Sequence, residues 1–343
     1  MKKIVCFTFI FVTAAIMVFA GGGSDKGQGP SGKITIYTSM YEDVIKSLDG
    51  ALKKQFPGCE IEFVYGGTGQ LQARVAAEQK SGKLGCDMLL VAEPSYSVEL
   101  KGKGMLHRYI SAEVGNLAFD YDKEGYWYPV RISNMVLAYN PERNNKNSVP
   151  NSFSDFANNA SVKGALSMSN PLTSGTTLAA VAALRDKYDY GYFDALGKQN
   201  VKIESGAVAL EKLQIGVYKV VMVLEELVLR KRQEEKSKLE VIYPTDGTII
   251  IPSTIMTIAG KWSAHNNTRT AEIITDWFLG PQGQSAIVTG WMHSVRKDFD
   301  KIPYDSIPTG QIQANSIPLN WENVFRQRDE IQSRFEGSVT NRR

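Results

Sequence analysis

Short apolar runs alternate with amphipathic stretches along most of this chain. Lys33 to Tyr37 (KITIY), Glu60 to Val64 (EIEFV) and Met88 to Ala92 (MLLVA) predict strands, and Glu42 to Gln55 and Gly69 to Ser81 between them predict helices. Such alternation implies a parallel sheet covered on both faces, with ligands gathering at the carboxyl ends of its strands. A break follows. Tyr126 to Asn140 (YWYPVRISNMVLAYN) is long, apolar and without a helical period, as a strand crossing between two lobes would be. Beyond it, Asn151 to Phe156 opens a helix, Leu166 to Ser169 is a brief strand and Ser174 begins another helix. Val220 to Leu224 (VVMVL) reads as a buried strand ending at Glu225 and Glu226, and Thr248 to Ile258 as a second extended crossing that holds Pro252. Helical patterns return at Thr270 to Leu279, Gln284 to Thr289 and Asn323 to Arg334.

The fold class expected is therefore α/β, with two lobes, each a mostly parallel sheet with flanking helices, joined by extended hinge crossings. Residues 33–125 plus 256–305 are assigned to lobe 1, and 126–255 plus 306–343 to lobe 2. No repeat of solenoid length is present.

The amino terminus adds a location. Met1-Lys2-Lys3 is basic, Ile4 to Ala20 is apolar apart from two threonines, and Val18-Phe19-Ala20 offers small residues where a signal peptidase cuts. Residues 1–20 read as a secretory signal peptide, and Gly21 to Gly32 (GGGSDKGQGPSG) as a flexible linker. Losing Lys2 and Lys3 lowers the formal charge from +3 to about +1, which argues against nucleic acid as a partner. The mixed-sign run Arg230 to Lys236 is expected to be a solvated helix face. Cys59 and Cys86 remain after processing, and their pairing is left open. With no CxxC, HExxH or Cys/His cluster, neither a metal site nor a cofactor is called for.

Candidate chemistry lies at helix starts. In "NPLTSGTTLAA", Ser174, Gly175 and Thr176 precede an alanine-rich helix, where unpaired N–H groups at the positive end of the dipole suit an anion. Thr38 and Ser39 precede another helix, and Thr68 and Gly69 a third. Each helix end contributes roughly 0.3 to 1 kcal/mol, up to about 2 when partly buried, whereas a micromolar ligand needs about 8. A charge-assisted contact from an arginine is therefore required, and Arg131 on the crossing strand is the candidate. Glu225, at the end of a strand, is expected to face the cleft and accept from hydroxyls, since strand neighbours point oppositely and only one of Glu225 and Glu226 can do so. A phosphate at one end and hydroxyls at the other describe a sugar phosphate.

Five segments, "KITIYTSMYEDV", "VYGGTGQLQARVAAE", "CDMLLVAEPSYSVELKGKGML", "NPLTSGTTLAAV" and "WFLGPQGQSAIVTGWMHSVRKDF", together resemble extracellular solute-binding proteins of bacterial ABC importers. The branch they resemble contains ferric-ion-binding proteins and carriers of phosphorylated sugars or phosphonates. The resemblance implies the type II periplasmic-binding-protein fold, a monomer in the periplasm, ligand capture by hinge closure, and an inner-membrane ABC permease as partner. In iron-binding members a histidine follows the first strand and a tyrosine pair follows a second-lobe strand. Here Thr38-Ser39-Met40-Tyr41 and Glu225-Glu226 stand in those places. The reading is a small anionic ligand, a phosphorylated sugar or similar organic oxyanion; the alternative is a ferric-iron-binding receptor with a non-standard ligand set. An exported enzyme is the third reading, and the residues oppose it: no GxSxG surrounds Ser174, and His107, His265 and His293 have no recognisable base context.

Overall fold

The computed structural model describes residues 29–341. The leader 1–20 and most of the linker lie outside the described residues, and Gly32 already opens the first strand. The strands are β1 Gly32–Thr38, β2 Cys59–Tyr65, β3 Met88–Ala92, β4 Tyr128–Tyr139, β5 Leu166–Met168, β6 Lys202–Ile203, β7 Val220–Leu224, β8 Glu240–Ile242 and β9 Ile249–Thr257. The helices are α1 Glu42–Gln55, α2 Thr68–Lys80, α3 Ser95–Gly102, α4 Phe153–Asn158, α5 Gly175–Tyr188, α6 Gly191–Lys198, α7 Gly206–Gln214, α8 Glu225–Glu234, α9 Thr268–Leu279, α10 Pro281–Thr289, α11 Thr309–Ala314 and α12 Trp321–Phe335.

The strands run β2, β1, β3, β9, β4, β7, β5, β6 across the molecule, with β8 also paired to β4. The outer trios are parallel: β1 with β2 and β3, and β5 with β6 and β7. The inner strands β9 and β4 run antiparallel to their neighbours and to each other. Runs such as MLLVA and VVMVL are buried at every residue because helices cover both faces of each trio.

Apolar packing divides the sheet into lobes. Ile36, Leu48, Leu90, Tyr128, Val130, Ile132 and Ile274 share one cluster, while Met135, Leu137, Phe156, Val181, Met222 and Ile249 share another. The single strand β4 thus gives its first half to lobe 1 and its second half to lobe 2. It pairs with β9 from Tyr128 to Met135 and with β7 from Met135 to Tyr139. β9 crosses likewise, meeting β3 from Ser253 to Thr257. Trp127, just before β4, packs with Met256 and Ile258 in lobe 1, and the change of partner along β4 falls near Met135. Cys59 and Cys86 are both free; β1 lies between β2, which Cys59 opens, and β3, which Cys86 precedes.

The two lobes also touch through α12 and α3. Arg328 of α12, whose helix packs in lobe 2, donates to Glu99 Oε2 at 2.7 Å and to Ser95 Oγ at 3.1 Å on α3 of lobe 1. Its other acidic neighbour is Glu93, 4.0 Å away, fully buried, held at φ +65° and with Oε1 lacking any partner. Burial pushes the Glu93 carboxyl up to about 7, against the opposing pull of Arg328. Because this folded value lies above the ordinary 4.5, the stabilisation linked to its proton is complete below that value and is lost as pH rises through about 7. Glu93→Gln is expected to raise stability at pH 8 by on the order of 2 kcal/mol and to change little at pH 4.5, read by urea unfolding at both values.

Candidate functional site

The parallel strands of both lobes end at one cavity of about 520 Å³. Ser39 and Tyr41 follow β1, Tyr65, Gly67 and Thr68 come at the end of β2, and Ala92 closes β3. From lobe 2, Ser169 and Asn170 follow β5, Ser205 and Gly206 follow β6, and Leu224 ends β7. All these carboxyl ends face one gap, the arrangement that makes α/β sheets bind ligands there.

Three helices start at its wall, and none carries an acidic residue in its first turn: α2, α5 and α7. Their dipoles are therefore left for a guest. Ser174 caps α5, its Oγ accepting from Thr177 N at 3.2 Å. Ser205 caps α7 in the same way, accepting from Val208 N at 3.4 Å. By contrast α1 and α8, which also begin nearby, start with Glu42-Asp43 and Glu225-Glu226 of their own. Ser174→Ala is expected to lower stability by about 0.5 to 2 kcal/mol through loss of the cap, measurable by chemical denaturation.

Arg131 supplies the charge. The register of β4 against β9 shifts between Pro129 and Arg131, a bulge of the kind that re-aims a side chain. Arg131 is 2% exposed and lines the cavity. Its Nη1 is 3.5 Å from Glu226 Oε1, and its Nε is buried with no partner. Burial lowers the guanidinium's affinity for its proton, and burial likewise raises the Glu226 carboxyl. Both directions say that desolvation outweighs the pairing, as a loose buried ion pair would.

Of the residues singled out from sequence, Ser39, Thr68, Arg131, Ser174, Gly175 and Thr176 meet at the cavity. Thr38 does not. It is fully buried, and its Oγ1 accepts from Met40 N at 3.1 Å, shaping the turn that presents Ser39. Gly69 lies just outside, its amide donating to Thr173 O at 3.3 Å across the cleft. Glu225 is absent from the cavity wall, and the cause is local. β7 ends at Leu224, so Glu225 and Glu226 open a helix and strand alternation does not govern them. Glu225 turns toward His293 Nε2 at 3.1 Å and accepts from Tyr243 and Ser306 at 2.5 Å each and from Asn134 at 3.3 Å. Glu226 instead meets Arg131 and Ser133, which share one face of β4, while Asn134 takes the other.

Ser205 and Gly206 were missed, although "ESGAVALEKL" repeats the Ser-Gly start of "TSGTTLAAV". Glu204 also lines the cavity; its Oε1 pairs with Lys212, and its Oε2 is buried without a partner. Lys231, expected on a solvated face, is 3% exposed and bridges Glu211 and Glu235. Among the described residues, no three His, Cys, Asp or Glu side chains come together as a metal-holding group, and no helix is long and apolar enough to cross a membrane.

Two α/β lobes hinged on paired crossing strands, with a polar cavity between them at the strand ends, define the type II periplasmic binding proteins. The chain belongs to the bacterial extracellular solute-binding protein family, whose model matches residues 86–306. No curated protein sequence matches the chain. Among solved structures, it is similar to the periplasmic binding protein AfuA from Actinobacillus pleuropneumoniae, solved with exogenous fructose-6-phosphate bound. That match has a TM-score of 0.78 at 18% identity and covers 91% of this chain and 99% of that one. Iron-bound HitA from Pseudomonas aeruginosa is similar with a TM-score of 0.75 at 18% identity, covering 89% and 98%. A periplasmic thiamin binding protein follows with 0.73 at 17%, covering 93% and 100%. At these identities the likeness shows the fold alone. As a member of that family the chain is an extracellular solute-binding protein.

Proposed function

We propose that this protein captures a phosphorylated sugar or similar organic oxyanion in the cleft between its lobes and delivers it, as a closed monomer, to an inner-membrane permease. Export to the periplasm with cleavage of residues 1–20 belongs to the same reading. The observation that carries it is Arg131: a buried guanidinium on the cavity wall with Nε unpartnered, beside three helix tips that carry no acid of their own. A cavity of about 520 Å³ suits an organic molecule rather than a bare inorganic ion. With Glu225 turned away, the hydroxyl end of such a ligand would meet Ser169, Asn170, Ser205 and the unpartnered Oε2 of Glu204 instead.

Closure follows from the hinge. A ligand that touches both lobes favours the form in which both sets of contacts are made. The test is mass spectrometry of small molecules released from freshly purified, denatured protein, followed by calorimetry with hexose phosphates and with ferric citrate. Heat from a hexose phosphate supports the reading; heat from the iron complex alone replaces it with the ferric-receptor alternative.

A further inference from the structure

Glu226 is the counter-ion that the proposed site needs and the sequence reading passed over. It is 3% exposed at the start of α8, and its Oε1 accepts from Ser133 Oγ at 3.0 Å while facing Arg131 Nη1 at 3.5 Å. Arg131 is equally buried, and Tyr41 on the turn before α1 stands near both. In the empty cleft the pair is neutral overall. An oxyanion that engages the guanidinium from the cavity adds a third charge beside this buried pair. The negative charges then outnumber the guanidinium, and the least expensive relief is for the buried carboxylate to bind a proton.

We propose that Glu226 holds Arg131 aimed at the cavity when the site is empty and takes up a proton when an oxyanion engages the guanidinium, so that binding is coupled to proton uptake. The proposal rests on the oxyanion reading above. The charged and titratable groups facing Glu226 are Arg131 on β4, Tyr41 before α1 and Glu225 on α8 itself. Behind them stand His293 against Glu225, and Arg230 and Tyr65 toward Tyr41. Glu225 keeps its charge, its carboxyl lying below the ordinary range despite burial because His293, Ser306 and Tyr243 bond to it. Glu226 has less: the loosely placed Arg131, its own amide and the Ser133 hydroxyl, which do not offset its burial. Burial has already raised it, so a nearby anion pushes it further in the same direction. The sign follows: the complex binds more protons than the free protein, and affinity rises as pH falls.

Titration calorimetry in two buffers of different ionisation enthalpy counts the protons. The probes are a hexose 6-phosphate and inorganic sulfate, the latter carrying no titrating group between pH 6 and 8. The wild type is expected to take up several tenths of a proton more per ligand at pH 7 than Glu226→Gln, which keeps the shape and the Ser133 contact. Wild-type affinity is expected to fall several-fold from pH 6 to 8, and the variant's slope to be shallower with the same probe. Equal proton counts in the two proteins overturn the proposal, as does a folded variant that binds neither probe, which would make Glu226 a purely positioning residue. Should Glu226→Gln not fold, the wild type with sulfate decides: no uptake between pH 6 and 8 overturns the coupling, and uptake with affinity rising toward pH 6 supports it. A wild type that binds neither probe sinks the oxyanion reading itself, a result distinct from all of these.

Discussion

Arg131→Met is expected to weaken binding of an oxyanion ligand by roughly tenfold to a hundredfold, the loss of one charge-assisted hydrogen bond of about 1.5 to 3 kcal/mol. Methionine keeps most of the volume and removes only the charge and the donors. The same change strands Glu226, which is buried at 3% exposure with no other cation bonded to it among the described residues. Breaking a buried pair in this way costs about 3 to 5 kcal/mol when the survivor stays ionised. The Glu226 carboxyl is already raised by burial, so it can escape that cost by protonating as pH falls. Urea unfolding should therefore show the variant clearly destabilised at pH 8 and closer to wild type at pH 5. Adding Glu226→Gln to Arg131→Met should restore stability at pH 8 without restoring affinity. Calorimetry giving wild-type affinity for the single variant would remove Arg131 from the site.

Gly69→Ala is expected to hold the cleft open. A Cβ at Gly69 would lie 2.7 Å from Leu172 O, and one at Gly175 would lie 2.9 Å from Thr68 Oγ1. Each contact joins α2 of lobe 1 to the start of α5 in lobe 2, so opening the hinge relieves it without disturbing either core. Leu172 O belongs to the backbone and cannot turn aside as a side chain would. Within its own helix, alanine is favoured over glycine by about 1 kcal/mol, so the unliganded variant should unfold no more easily than wild type. Apparent affinity should nevertheless fall about tenfold or more, in proportion to the lost fraction of closed protein. Small-angle scattering with saturating ligand reads this directly: the variant's radius of gyration should stay at its ligand-free value while the wild type contracts. Equal contraction in both proteins would show that the two lobes approach by another route.

What could be read from the sequence depended on how local its cause was. Met88–Ala92 and Val220–Leu224 are apolar at every position because both faces of each trio are covered, and that pattern is written in the residues themselves. The Ser174 cap and the crossing strand around Arg131 were legible for the same reason. The helix Gly206–Gln214 repeats the Ser-Gly signal and is only nine residues long, short enough to be passed over. Glu225 was misplaced by a single residue of strand length, since the chain turns helical at that position and two adjacent carboxylates point to different partners. The bulge beside Arg131 and the buried Glu93 opposite Arg328 arise from pairings more than a hundred residues apart, which no local window contains.

β9 has a consequence for the order in which the chain can fold. It lies between β3 and β4, yet it is made of Ile249–Thr257, long after both of its neighbours have been synthesised. Until it arrives, the edge of β3 has unpaired backbone groups along its length, and lobe 1 lacks the strand that closes it. Neither lobe is a contiguous stretch that could complete itself early, and contacts of such long sequence separation form slowly. A nascent chain built this way stays unfinished until about three quarters of it exists, and its open strand edge needs cover for that long.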